Sequence, residues 1–429
     1  METISTPAKN LASMTETAKK EGISDEVIAE AVELCRGAEA LPEGVLGLAR
    51  KLDKAYKAGR KLRVKLGVDP TSTDLHLGHA VVVRKLRRFQ EFGHQIVLII
   101  GGFTAMIGDP TGRNSTRPQL TEEQVATNAQ TYIDQIGLIL DISKTEIVRN
   151  QDWLSPLTMK EVIKLASTVT VNQLIAKESF GDRLEKQQPV SLHELFYPLL
   201  QAYDSVEIKS DIELGGTDQR FNILQGRELQ PHYSIEPQMA MLLPLLEGTD
   251  GIQKMSKSYG NYIGLKENAK DMFGKCMRIN DDQILKYFEL TTTLTGAEID
   301  AIEAAHLKEG GNPKDAKLKL AHQIVTQYHG AEVGNQALTD WNNVHSEGQV
   351  PQDMPLYPVP EPQAAFRLLV NCALVPSASA AKLLFGEASG VKLDGNPIID
   401  ANEQIKLNKG ETKVLQVGKR KFVRLTNEG

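Results

Sequence analysis

His76-Leu77-Gly78-His79 and Lys254-Met255-Ser256-Lys257-Ser258 are two short strings about 180 residues apart, and both carry groups suited to phosphate chemistry. When a carboxylate attacks the α-phosphate of a nucleoside triphosphate, negative charge builds on the departing pyrophosphate. Donors fixed where that charge develops lower the barrier. Two imidazoles supply such donors on one side, and two ammonium groups supply them on the other. Gly78 permits close backbone approach, and the helix predicted to begin there offers free N–H groups and a positive dipole end. Lysine is a flexible point charge, suited to a loop that closes over phosphates and excludes water. Each string has an ordinary reading too: two structural histidines at a helix start, and an exposed turn with two solubilising lysines. Their joint occurrence, each beside a glycine-rich turn, favours the chemical reading.

Two further strings place carboxylates after glycine-rich strand ends: Gly101-Gly102-Phe103-Thr104-Ala105-Met106-Ile107-Gly108-Asp109-Pro110 and Gly215-Gly216-Thr217-Asp218-Gln219. Carboxylates there can anchor an ammonium group or a ribose hydroxyl, although structural turns explain either string alone. In Tyr197-Pro198-Leu199-Leu200-Gln201-Ala202-Tyr203-Asp204, spacings of four and three put Tyr197, Gln201 and Asp204 on one helix face. Phe196, Leu199, Leu200 and Tyr203 surround that polar stripe. This favours a polar pocket over a solvated face.

These residues need a scaffold. Arg63–Val68 alternates as a strand does, Asp69-Pro70-Thr71 breaks it, and residues 80–92 carry apolar positions at helical spacing. Gln95–Ile100 is nearly all aliphatic, as expected of a strand covered on both faces. Strand, loop, helix and second strand make a βαβ unit, whose ligands lie at the carboxyl ends of the strands. Further strands are expected at residues 145–150 and 208–214, with helices at 121–140 and 159–177. Residues 1–60 read as helix-favouring and show no chemistry.

A chain of 429 residues is too long for one core. The expected segments are an N-terminal helical extension (1–60), a catalytic α/β domain (61–265), a helical domain (266–350), a proline-rich linker (351–362) and a small C-terminal domain (363–429). Cys35, Cys276 and Cys372 are far apart and form no Cys-x-x-Cys pair, which argues against a disulfide framework or a zinc site. No signal peptide or membrane span is apparent, so a cytoplasmic location is expected. The net charge is −6, but residues 361–429 carry +3 and the remainder −9. The basic run Val417-Gly418-Lys419-Arg420-Lys421-Phe422-Val423-Arg424 suits either an RNA surface or a charged strand edge.

From about Leu62 to its end the chain resembles the bacterial tyrosyl-tRNA synthetases, on the His-Leu-Gly-His and Lys-Met-Ser-Lys-Ser strings, the Tyr-Gln-Asp stripe and the Val-Lys-Leu-Gly-x-Asp-Pro opening. The resemblance implies a Rossmann-like parallel-sheet catalytic domain, a helical domain and a small α+β S4-like RNA-binding domain. It implies an ATP-dependent ligase that forms tyrosyl-adenylate and passes the tyrosyl group to tRNA. By the same resemblance Thr71, His76, His79, Lys254 and Lys257 serve phosphates and transition state. Gly67, Asp69 and Gly78 line the adenylate, Gly216 and Asp218 take the ribose, and Arg113 and Arg117 assist near the phosphates or the tRNA end. Asp109, Tyr197 and Gln201 hold the α-amino group, Gln219 the carboxyl end, and Asp204 the phenolic hydroxyl. Lys382, Lys392, Lys419, Arg420, Lys421 and Arg424 are the expected RNA contacts. Many members place a second tyrosine where this chain has Lys65, whose direction the sequence leaves open. Mg²⁺ is expected with ATP and no protein-held metal, and a homodimer is implied. The rivals are a tryptophanyl-tRNA synthetase, against which the stripe and the tail argue, and a catalytically silent RNA-binding paralogue, against which the histidines and lysines argue.

Overall fold

The computed structural model describes residues 8–71, 74–111, 121–308, 310–345, 354–386, 390–418 and 421–427. Arg113, Arg117, Lys419 and Arg420 lie outside the described residues. Contacts divide the chain into two compact units, Met1–Ala331 and Glu332–Gly429.

The first unit is built on six strands: β1 (Glu39–Leu41), β2 (Arg63–Val68), β3 (Gln95–Ile100), β4 (Thr145–Arg149), β5 (Ile212–Gly216) and β6 (Met239–Leu243). Their order across the sheet is β1-β6-β5-β2-β3-β4. All pairings are parallel except that of β1 with β6. From β2 the chain winds outward through β3 and β4, then returns to build β5 and β6 on the other side. The winding therefore reverses between β2 and β5, and a crevice opens there beyond the strands' carboxyl ends, where ligands bind in such sheets. Residues 96–100 of β3 are all buried, because helices cover both faces of a parallel sheet. The helix Leu77–Glu91 returns the chain from β2 to β3 and buries Leu77, Ala80, Val81, Val83, Leu86 and Phe89.

Some elements differ from expectation. The segment expected as an N-terminal helical extension forms, over residues 8–57, three helices and also the edge strand β1, which pairs with β6 from Glu39↔Leu242 to Leu41↔Ala240. The strand expected at 208–214 starts at Ile212, because the preceding helix runs to Glu207 and Lys209 turns the chain at a φ of 51°. The helix expected over 159–177 is split into Met159–Ala166 and Val171–Ile175. Thr170 restarts it: its hydroxyl accepts from the Gln173 N–H while the Gln173 side chain accepts from the Thr170 N–H.

In the second unit, five strands are ordered Asn396–Pro397, Val391–Leu393, Thr412–Val417, Lys421–Thr426 and Leu356–Pro358. The last of these lies in the stretch expected as a linker. Leu356–Pro358 pairs parallel with Arg424–Thr426 at the sheet edge, a position that tolerates proline, and Val359 enters the core. Leu368, Leu369, Val391, Leu415, Val423 and Leu425 are the centre of that core.

Candidate active site

Backbone hydrogen bonds unite the two distant motifs. The Leu77 N–H donates to the Ile263 carbonyl at 2.9 Å, and the Leu265 N–H donates to the Leu75 carbonyl at 3.0 Å. The segment following the lysines is thereby sewn to the segment carrying the histidines. Met255 is buried, and a Cβ added at Gly78 would stand 3.6 Å from its own Cβ. The apolar residue of the lysine string thus anchors the loop while its two charged neighbours face outward. Asn261 braces the loop from within, accepting from the Ser256 N–H at 2.8 Å and donating to Asp250 at 2.8 Å.

His79 Nδ1 accepts from the His76 backbone N–H at 3.2 Å, so the proton of the neutral ring sits on Nε2. The two rings lie tilted at 38° with centroids 3.9 Å apart. Burial, then the Lys257 and Lys254 ammonium groups, lower the His79 pKa to about 4. Burial, His79 and Lys257 push His76 lower still. Both rings are therefore neutral at physiological pH, each with one N–H and no positive charge. His76 Nδ1 is buried without a hydrogen-bond partner.

Across the crevice, Lys254 Nζ reaches Asp218 Oδ2 at 3.1 Å and Lys257 Nζ reaches Asp74 Oδ2 at 2.7 Å. Gly67 sits near the carboxyl end of β2 with open space where a side chain would be. Thr71 lies in the loop that follows, its N–H folded back on the Asp69 carbonyl. Gly216 ends β5 just before Asp218, so both sides of the crevice present ligating groups.

Deeper in, Asp204 is buried and accepts from Trp153 Nε1 at 2.9 Å and Asn150 Nδ2 at 3.4 Å. Asn150 also donates to Thr104 Oγ1 at 3.0 Å, and Thr104 donates to Asp69 Oδ1 at 2.7 Å. Tyr197 completes the line, its hydroxyl donating to Asp69 Oδ2 at 3.0 Å. Burial raises the pKa of both Asp69 and Asp204 to about 7; Lys65 and the Trp153 bond oppose the rise at Asp204. Close approach explains one glycine here: a Cβ on Gly101 would stand 2.0 Å from Asp69 Oδ1.

Gln201 donates through Nε2 to Glu213 Oε1 at 3.1 Å. Asp109 accepts from Gln219 Nε2 at 2.7 Å and from Thr111 N–H and Oγ1 at 2.9 and 2.6 Å. The buried Lys177 ammonium lies 3.6 Å from Asp109 Oδ1. Of the described site residues expected from the sequence, Gly67, Asp69 and Thr71 lie at or just past the carboxyl end of β2, Gly216, Asp218 and Gln219 at or just past that of β5, and Tyr197 is hydrogen-bonded to Asp69.

Asn150, Trp153, Thr104, Glu213, Lys177 and Asn222 are additions that sequence reasoning missed. Asn150 and Trp153 directly follow β4, and the rule that parallel strands carry ligands at their carboxyl ends would have pointed to them. Lys177 carried no such signal.

The four described RNA candidates do not share one face of the second unit. Lys392 and Arg424 pair with Gln416 and Val414, on the sheet face away from the core. Lys421 has the parity of the buried Val423, and its Nζ bonds the Leu374 carbonyl at 2.5 Å. Lys382 lies over the Phe366 ring at 4.7 Å.

A family model for tRNA synthetases class I (W and Y) matches residues 57–346. The tyrosine–tRNA ligase of Moorella thermoacetica is 46% identical over 389 residues, covering 90% of this chain and 93% of that protein. That of Carboxydothermus hydrogenoformans is 47% identical over 397 residues, covering 91% and 96%, and that of Bordetella pertussis is 47% identical over 378, covering 88% and 91%. Among solved structures, a C-terminally truncated mitochondrial tyrosyl-tRNA synthetase of Aspergillus nidulans superposes with a TM-score of 0.62 at 20% identity, covering 78% of this chain and 99% of that one. The Archaeoglobus fulgidus tyrosyl-tRNA synthetase complexed with L-tyrosine gives 0.58 at 22%, covering 73% and 99%. At those identities the structures speak for the fold.

Proposed function

Since the chain belongs to the class I tRNA synthetases of the W and Y family, we propose that its crevice works as the two-step site of a tyrosine–tRNA ligase, with the residue roles that follow. The activity is that of its relatives: tyrosine is activated with ATP and then transferred to tRNA. In the first step a carboxylate oxygen of tyrosine bonds to the α-phosphorus as the bond to the β-phosphate oxygen breaks, and pyrophosphate leaves. In the second, a hydroxyl of the terminal adenosine of tRNA(Tyr) attacks the activated carbonyl and AMP leaves.

In this reading His76 and His79 donate to the phosphates from the helix start, and Lys254 and Lys257 neutralise the leaving pyrophosphate. Thr71, Gly67, Asp69 and Gly78 form the nucleotide wall, with Gly216 and Asp218 at the ribose. Asp109, Tyr197 and Gln201 receive the ammonium, Gln219 the carboxyl end and Asp204 the phenol. Mg²⁺ enters as part of the ATP substrate, bound chiefly by phosphate oxygens. Arg113 and Arg117, outside the described residues, are assigned to the phosphates or the tRNA end. Lys382, Lys392, Lys419, Arg420, Lys421 and Arg424 are assigned to RNA contact.

The observation that carries tyrosine over tryptophan is Asp204. Its carboxyl group is buried and held by two donors, and its remaining lone pairs suit a hydroxyl. ATP–pyrophosphate exchange measured with tyrosine, tryptophan and phenylalanine tests this. Exchange driven by tryptophan, or by no amino acid, would reject it.

We further propose a homodimer in the cytoplasm. The support is that two-fold homo-oligomers are the commonest assemblies and that Met159, Ile163, Val171, Leu184 and Leu192, between residues 159 and 192 of the first unit, are exposed. Among the described residues no helix is long and apolar enough to cross a membrane. Leu192→Asp with Ile163→Asp should shift the sedimenting species from dimer to monomer; a wild-type monomer would refute the assembly.

A further inference from the structure

We propose that Lys177 is a positioning residue for the reaction: through Asn222 it fixes Gln219 as a hydrogen-bond donor toward the carboxyl end of the amino-acid substrate. The inference rests on the substrate reading above and concerns a residue that none of the motifs contains. Lys177 is 4% exposed, and its ammonium donates to Asn222 Oδ1 at 2.8 Å. The rings of Phe180 and Phe221 lie 5.7 and 5.9 Å from it and offset part of the cost of burying a cation.

An ammonium has only donors, so the Asn222 amide must present its oxygen to it. The Asn222 nitrogen is then turned to Gln219, where Nδ2 donates to Oε1 at 2.8 Å. With its oxygen turned to Asn222, Gln219 presents its nitrogen to the other side, and Nε2 donates to Asp109 Oδ2 at 2.7 Å. Asp109 Oδ1 closes the ring 3.6 Å from the lysine. The lysine thus sets the sense of Asn222, and Asn222 with the acceptor-only Asp109 carboxylate sets that of Gln219. The second N–H of Gln219 remains to meet a carboxylate or, after activation, the acyl-phosphate carbonyl. Without the lysine the Asn222 amide can turn over and face Gln219 with its oxygen, so Gln219 loses one of the two partners that hold its nitrogen in place.

The test compares wild type with Lys177→Met and Asn222→Asp. Tyrosine-dependent pyrophosphate exchange is measured alongside binding of tyramine, which has the phenol and ammonium but no carboxylate. Asn222→Asp keeps an acceptor for the lysine but has no donor for Gln219. Each variant should lose roughly 10- to 100-fold in kcat/KM for tyrosine, while tyramine binding stays within about threefold. Unchanged kcat/KM in either variant, or tyramine weakened as much as tyrosine, overturns the proposal. Should Lys177→Met fail to fold, Asn222→Asp alone decides by the same two readouts. Wild-type exchange with tyrosine checks the underlying function separately, so its failure cannot be mistaken for failure of the relay.

Discussion

Lys65 Nζ and Glu213 Oε1 lie 3.1 Å apart with both side chains sealed from solvent. The lysine also donates to Ser205 Oγ at 2.7 Å and to the Gln201 carbonyl at 3.2 Å, and Glu213 accepts from Ser205 at 3.0 Å and from Gln238 at 2.5 Å. Glu213 takes the amide nitrogen of Gln201 as well, which leaves the Gln201 side-chain oxygen as an acceptor for an ammonium group. The residue that departs from the usual family pattern therefore acts beneath the pocket, on strand β2, by neutralising the carboxylate that orients Gln201.

Lys65→Met should cost stability, because it strands an ionised Glu213 in the interior. Breaking one side of a buried pair typically costs about 3–5 kcal/mol. Adding Glu213→Leu should recover part of that loss, since no charge is then left unpaired, although Gln201 loses its orienting partner. Urea denaturation of wild type and of the single and double variants checks this. A single variant as stable as wild type would show that the pair is not the brace described.

Ending the chain at Ala331 should leave pyrophosphate exchange near wild type and abolish efficient tRNA charging. The cut follows the division into compact units and keeps Leu356–Pro358 with the sheet it belongs to. Lysine and arginine contacts to phosphate also predict that tRNA affinity of the full chain falls steeply with salt, and less steeply once the module is gone. Filter binding across a salt series measures both. Full charging by the shortened chain would remove RNA binding from the second unit.

Asp204 gives a pH-dependent stability whose sign can be worked out. Its folded pKa is raised to about 7, whereas an unfolded aspartate titrates near 4. The folded protein thus holds the proton more tightly, and the contribution of this group grows as pH falls from above 7 toward 4, by of order 4 kcal/mol at most. Asp204→Asn removes it. The melting temperature of wild type minus that of Asp204→Asn should therefore increase between pH 8 and pH 5. A difference independent of pH would mean that this carboxylate does not titrate in that range.

Legibility from sequence was uneven, for physical reasons. Strand β3 announced itself because a doubly covered parallel strand must be aliphatic throughout, and the helix Tyr197–Glu207 because its polar stripe interrupts an apolar surface. β1 was invisible: Glu39-Ala40-Leu41 is three residues long, and its pairing with β6 is a tertiary event with no local signature. A Pro-rich run predicts a linker because proline cannot donate to a ladder, yet at a sheet edge that donor is not needed. The motifs marked their own positions, but Lys177, Glu213 and Asn222 acquire meaning only once folding brings them against Gln219 and Gln201.

The lysine loop offers the sharpest kinetic test. Lys254 and Lys257 stand within reach of Asp218 and Asp74, so in this arrangement both ammonium groups already have carboxylate partners. ATP offers them more negative charge than those half-exposed carboxylates, and the exchange should strengthen as pyrophosphate separates. The lysines are held at Asp218 and Asp74, whereas Asp204, assigned above to the phenol, is held by Trp153 and Asn150. Lys254→Ala and Lys257→Ala should accordingly slow adenylate formation, each by roughly 10²-fold if one charge-assisted contact of 2.7 kcal/mol or so is lost from the transition state. Tyrosine affinity should change little, because interactions made mainly in the transition state appear in kcat. Asp74→Asn is the companion variant. It frees Lys257 without removing it, and should leave the rate intact or raise it. Stopped-flow fluorescence of adenylate formation, with tyrosine binding measured at equilibrium, separates the two quantities. A large rise in tyrosine Kd with an unchanged rate would place these lysines at the amino acid and not at the phosphates.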